Sequence, residues 1–113
     1  MEENVLPDPP SAARPRSDQA LYSISVAAEL LDMAPQNLRV YEARGLVEPS
    51  RTAGGTRRYS DDDVERIRHI GELLDAGLNF VGIKRVLEME LELERLRTEL
   101  HGAHASRDRR GDA

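Results

Sequence analysis

Apolar residues recur at Val26, Ala27, Leu30 and Leu31, the spacing of one helix face, and predict a first helix over about 25–31 with Ser25 as its N-cap. Asp32-Met33-Ala34 then reads as a tight turn. Pro35 suits the first position of a second helix, where its missing N–H costs nothing. That helix runs to about Arg44 and stops at Gly45, a residue free to take the left-handed conformation. Two short helices joined by a three-residue turn predict a helix-turn-helix.

The pattern then changes. Leu46-Val-Glu-Pro49 is extended, Gly54-Gly55 supplies the positive φ of a hairpin tip, and Arg57-Arg58-Tyr59 forms the return strand. Ser60 caps a third helix with Asp63 at its N3 position, and Tyr59 and Val64 occupy the staple positions. Val64, Ile67, Gly71 and Leu74 line one face of that helix, which ends at Ala76-Gly77. Asn79 caps a fourth helix, with Leu78 and Ile83 as its staple and Phe80, Ile83 and Leu87 on one face. Val86, Met89, Leu93, Leu96 and Leu100 follow at alternating spacings of three and four, an a/d seam of about two heptads. Leu87 and Leu91 lie off that seam, and the pattern does not say whether the chain bends between Glu88 and Glu92. The segments divide as an N-terminal arm over 1–20, a helix-turn-helix domain with its hairpin over 21–87, a seam helix over 88–101 and a tail over 102–113. The arm, with Pro7, Pro9, Pro10 and Pro15, and the short polar tail are both expected to be disordered.

Composition narrows the chemistry. The 113 residues hold one phenylalanine (Phe80), no tryptophan and no cysteine. The core must therefore be small and aliphatic, which favours oligomerisation. Disulfides, thiolate metal sites and cysteine redox switches are excluded. His101 and His104 are three apart but have no third or fourth ligand beside them, and His69 reads as a helical residue at the surface or partly buried. No apolar run approaches a membrane span and the N-terminus does not read as a secretory signal, so a cytoplasmic location is expected. There is no nucleophile–base pair, phosphate loop or metal cluster, so an enzyme is not expected. Net charge is −5, yet between Arg39 and Arg58 five arginines stand against two acids, Glu42 and Glu48. Screening limits each charge to about 8–10 Å, so this local excess governs what the stretch attracts.

The residues Leu38-Arg39-x-Tyr41-Glu42-x-x-Gly45-Leu46-x-x-Pro49, followed by Gly54-Gly55-x-Arg57-x-Tyr59-Ser60-x-x-Asp63-Val64, resemble the winged helix-turn-helix of MerR-type transcriptional regulators. The resemblance covers about Tyr22 to Glu90. It implies a mainly α fold, with a short two-stranded wing and a C-terminal dimerisation helix. Ile24-Ser25-Val26-Ala27-Ala28, Pro35-Gln36-x-Leu38-Arg39, Arg51-Thr52-x-Gly54-Gly55-x-Arg57-Arg58-Tyr59-Ser60 and Gly77-x-Asn79-x-x-Gly82-Ile83-Lys84-Arg85 further resemble the HspR heat-shock repressor branch. This chain departs from that branch in a shorter segment before Gly77 and a brief tail without an apolar end. The branch implies repression of chaperone genes, nucleoid association, an inverted-repeat operator in double-stranded DNA, and a DnaK-type chaperone as co-repressor. With no cysteine, the metal and redox sensing of other MerR-type proteins is not expected, and no cofactor is implied.

Candidate site residues follow. Gln36, Asn37 and Arg39 stand in the first turns of the second helix. There Gln and Asn side chains can pair with adenine and Arg with guanine. Leu38 between them is core. Tyr41 either packs inside the helix pair or reaches a phosphate with its hydroxyl. Arg51, Arg57 and Arg58 flank the wing tip, but alternate strand residues face opposite ways, so Arg57 and Arg58 do not share a face. Resemblance places Arg57 on the phosphate backbone or in the minor groove of DNA, and Arg58 is free to pair with an acid such as Asp62. Ser25 at a helix start and Lys84 on the fourth helix are further phosphate candidates. Val86, Met89, Leu93, Leu96 and Leu100 form the dimer surface, which resemblance makes an antiparallel helix pair in a homodimer. Two rival readings remain: an architectural, excisionase-like DNA binder sharing the winged fold, and a protein-interaction module using the acidic helix.

Overall fold

The computed structural model describes residues 16–111, with side chains described as far as residue 103. Seven elements follow one another: β1 (Ala20–Tyr22), α1 (Ile24–Leu31), α2 (Pro35–Ala43), β2 (Ser50–Arg51), β3 (Arg57–Ser60), α3 (Asp61–Asp75) and α4 (Phe80–Gly111). The molecule is mainly helical, with a small antiparallel sheet of order β1-β3-β2. The wing is the β2–β3 pair, and β1 adds a third strand that the sequence pattern did not reveal. Its register sets Ala20 opposite Ser60 and Tyr22 opposite Tyr59, with an irregularity between.

That added strand moves the start of α1. The chain is still extended at Ser23, whose hydroxyl accepts the Val26 N–H at 3.2 Å, so Ser23 is the N-cap. Ser25, expected in that role, instead lies exposed in the first turn of α1. Other caps fall where the sequence put them. Ser60 Oγ accepts from Asp63 N and Asp63 Oδ2 accepts from Ser60 N, closing a capping box at α3. Asn79 Oδ1 accepts the Gly82 N–H at 2.8 Å at the start of α4.

The turns after α1, α2 and α3 close in one way: a residue in the left-handed conformation, then a bond reaching back five residues. After α2, Gly45 has φ of 73°, Gly45 N donates to Glu42 O and Leu46 N donates to Tyr41 O. Leu46, swung inward by this turn, is 1% exposed. Asp32 (φ 54°) and Gly77 (φ 98°) do the same for α1 and α3.

One aliphatic core holds these parts. Ala27 and Ala28 of α1, Leu38 and Tyr41 of α2, Tyr59 of β3, Val64, Ile67 and Ile70 of α3, and Ile83 and Leu87 of α4 are buried together with Leu46 and Val47. The small alanines let α1 lie close against its neighbours.

The fourth helix and the expected dimerisation segment are one unbroken helix, so the boundary expected between 87 and 88 falls inside it. The helix also continues to Gly111, beyond the boundary expected at 101. Extending a formed helix adds one hydrogen bond per residue fixed, and no proline interrupts residues 88–111. The expected N-terminal arm lies outside the described residues as far as residue 15. From residue 16 the chain is described, and Ser17 O accepts from Asp62 N.

Candidate nucleic-acid interface

Helix α2 divides its residues between core and solvent. Leu38 (0%) and Tyr41 (5%) anchor it, while Gln36, Asn37 and Arg39 are exposed on its N-terminal turns. Tyr41 packs edge-on against Phe80, with ring centroids 6.2 Å apart. Burial, followed by the charge of Asp75, pushes its hydroxyl above the ordinary tyrosine range. Its body therefore belongs to the core, and any phosphate contact falls to the hydroxyl alone. Arg44, just past α2, lays its guanidinium 4.8 Å from the centroid of the same Phe80 ring.

On the wing, Arg51 pairs in register with Arg57, and Ser50 with Arg58. Arg51 and Arg57 thus share one face and Arg58 takes the other, as strand alternation requires. Glu42, on α2, reaches both. Its Oε2 accepts from Arg51 Nη2 at 2.8 Å and its Oε1 from Arg57 Nε at 2.5 Å. The bond from Arg57 holds the Glu42 carboxyl below the usual carboxylate range against the opposing effect of partial burial, with the charges of Arg57 and Arg51 adding to it. Arg51 also donates through Nη1 to the Gly55 carbonyl at 2.9 Å. Gly55 alone of the tip pair takes a positive φ, 87°, and nothing stands within 4 Å of where its Cβ would be.

Arg58 has no ion pair with Asp62 among the described residues; its Nη1 donates to the Arg57 carbonyl at 3.2 Å. Asp62 sits in the first turn of α3, where the helix itself stabilises a carboxylate. Lys84 approaches the end of α2, its Nζ 3.6 Å from the position a Cβ on Gly45 would take. The carbonyl end of a helix favours a cation there. The fold thus sets the wing against α2 through Glu42, and the first two turns of α4 against the end of α2. Ser25 lies on α1.

Sequence reasoning missed three positioning groups. Glu42 stood in the sequence as a motif residue and as an acid in a basic stretch, and its two arginine partners, 9 and 15 residues away, left no local signal. Arg66 Nε donates to the Leu46 carbonyl at 2.6 Å and ties α3 to the turn after α2. His69 on α3 meets Glu90 on α4, Nε2 lying 3.0 Å from each carboxylate oxygen, with Nδ1 3.4 Å from Glu72. Glu90 is the main cause of a raised His69 pKa.

Beyond Leu87 the helix carries its apolar residues in the open. Met89, Leu93, Leu96 and Leu100 are 58%, 46%, 47% and 60% exposed. With half-buried Val86, the first three line a trough of about 490 Å³.

A helix-turn-helix with a basic hairpin beside its second helix defines a winged helix-turn-helix protein. Residues 22–90 match the family described as "MerR HTH family regulatory protein". The chain belongs to the MerR family of regulatory proteins, and its relatives are regulators rather than enzymes. It is 49% identical over 80 residues to the putative heat shock protein HspR of Streptomyces coelicolor, covering 70% of this chain and 53% of that protein. It is 40% identical over 75 residues to the regulator GlnR of Bacillus anthracis, covering 66% of this chain and 58% of that one. The matched stretch therefore spans little more than half the length of either relative. Among solved structures, HiNmlR, a MerR family regulator lacking the sensor domain and bound to promoter DNA, matches with a TM-score of 0.56 and 25% identity over 79% of this chain and 76% of that one. No helix among the described residues is long and apolar enough to cross a membrane.

Proposed function

We propose that this chain is a homodimeric, sequence-specific DNA-binding transcriptional regulator, a repressor of heat-shock and chaperone genes of the HspR type. The observation that carries the DNA-binding part is the joining of α2 and the wing into one surface, with Gln36, Asn37 and Arg39 exposed beside the Arg51–Arg57 face. In this reading Gln36, Asn37 and Arg39 meet base edges in the major groove. Arg51, Arg57 and Lys84 hold phosphates, with Ser25, Arg58 and the Tyr41 hydroxyl at the margins of the contact. Phosphate contacts set position and base contacts set sequence. The seam Val86, Met89, Leu93, Leu96 and Leu100 pairs with a second copy, and the two heads read an inverted repeat. The repressor role and the heat-shock targets rest on the HspR likeness, as does a DnaK-type co-repressor. Such a protein works in the cytoplasm, at the nucleoid.

In vitro selection of bound duplexes from a random pool tests the reading. The expected product is an inverted repeat. Arg57→Ala should weaken binding to every duplex and make the salt slope shallower by about one. Arg39→Ala should relax preference at particular base positions, at about 1–3 kcal/mol each. A pool that returns no enriched sequence removes sequence-specific regulation. Unchanged affinity on adding DnaK removes the co-repressor.

A further inference from the structure

Arg51 and Arg57 are cross-strand partners, and like charges so placed repel. One carboxylate from a different element lies between them, each of its oxygens bound to one guanidinium. The carboxylate is Glu42, on the helix that carries Arg39 one turn earlier, so the bridge joins the wing directly to the base-facing helix. Arg51 extends the brace to the wing tip through Gly55 O. The Glu42 side chain is 22% exposed, within reach of solvent and of an approaching phosphate.

We propose that Glu42 is a positioning and selectivity residue of the DNA interface: its carboxylate fixes both wing arginines relative to α2 and cancels one of their two charges. The inference rests on the DNA-binding reading above. Non-specific DNA then meets, on the Arg51–Arg57 face of the wing, a net charge of +1 rather than +2. Non-specific affinity is set by such charge, whereas an operator also gains from the alignment of wing and helix. Glu42 therefore widens the gap between operator and random DNA by lowering the random term and supporting the specific one.

Fluorescence anisotropy across a salt series, with the selected duplex and a scrambled duplex of equal length, tests this. Glu42→Gln keeps the shape and removes the charge. On the scrambled duplex it should steepen the log–log salt slope by about 0.9 and tighten binding about fivefold at 0.15 M salt, as expected for one further counterion released. Selected-duplex affinity should gain less, so discrimination falls. An unchanged or shallower slope on the scrambled duplex overturns the proposal, because a purely structural residue would not steepen it. Glu42→Asp keeps the charge but is too short to bridge both arginines. Its scrambled-duplex slope should match the wild type while its affinity for the selected duplex drops several-fold, and no drop overturns the positioning role. If circular dichroism shows Glu42→Gln to be misfolded, the aspartate variant decides. Wild-type protein that binds neither duplex overturns the DNA-binding reading and this inference together. Wild-type binding with unaltered variants overturns this inference alone.

Discussion

Leu38 and Leu93 are the same side chain in opposite circumstances. Leu38 sits on α2 with no exposed surface, flanked along the helix by exposed Asn37 and Arg39. Leu93 sits on α4 with 46% of its surface exposed, in line with Met89, Leu96 and Leu100. The head of the molecule closes its own core with residues from α1, α2, β3, α3 and the first two turns of α4. Beyond Leu87, the apolar side chains of α4 stay open among the described residues. Burial of apolar surface stabilises by about 25 cal/mol per Å², and that gain is realised at Leu38 but still outstanding at Leu93. A self-sufficient head and an unfinished rod are what a protein needs if recognition is built within a protomer and assembly between protomers.

Four measurements break or sharpen this contrast. The largest effect belongs to the head: Leu38→Ala should cost about 3 kcal/mol in urea unfolding, as deletions in well-packed cores do. The equivalent Leu93→Ala should cost far less in dilute protein; equal losses would erase the distinction. Next comes the rod. Leu93→Glu with Leu96→Glu should yield a folded monomer by sedimentation and weaken binding to an inverted repeat about a hundredfold, because the second head loses its high local concentration. A variant that stays dimeric with full affinity would show that the seam lies elsewhere.

A smaller effect, of opposite sign, is expected at Tyr59. This ring is fully buried and its hydroxyl has no hydrogen-bond partner among the described residues. Tyr59→Phe should therefore raise stability by about 1 kcal/mol, since an unpaired buried hydroxyl is destabilising. A loss would mean that the hydroxyl is satisfied in solution. The smallest effect concerns the join between head and rod. His69 is charged when it binds Glu90, and its pKa is raised in the fold, so its contribution is fully present below about pH 6.5 and fades as pH rises through the raised value. Between about pH 6 and pH 8 the melting temperature of the wild type should fall slightly more than that of His69→Gln. Parallel curves would show that the pair contributes nothing.

The sequence was readable wherever structure is decided by near neighbours. Gly45, Ser60 with Asp63, and Asn79 each act on backbone groups within a few residues, so their spacing alone located the helix ends. The burial of Leu38 and the exposure of Gln36 and Arg39 followed from helical period. Features that depend on distant partners were hidden. β1 is three residues long, too short to alternate visibly, and exists because β3 offers an edge. Once it forms, the cap of α1 passes from Ser25 to Ser23. The Glu42 bridge spans 9 and 15 residues to its two partners, and His69–Glu90 spans 21. Arg58 was expected beside Asp62, but its guanidinium turns to a backbone carbonyl.

The continuity of α4 makes it a ruler. Ile83 is locked in the head and Leu96 lies on the open seam, and between them the axis advances about 20 Å without a break. A rod of that kind carries rotation as well as distance. In the dimer proposed above, any twist or slide of the two seams against each other would reappear at the two reading heads as a change in their separation and phase, measured in base pairs. Under that proposal the spacing of the DNA half-sites would be written into the helix, and altering its length by one residue would turn the head by about 100° relative to the seam.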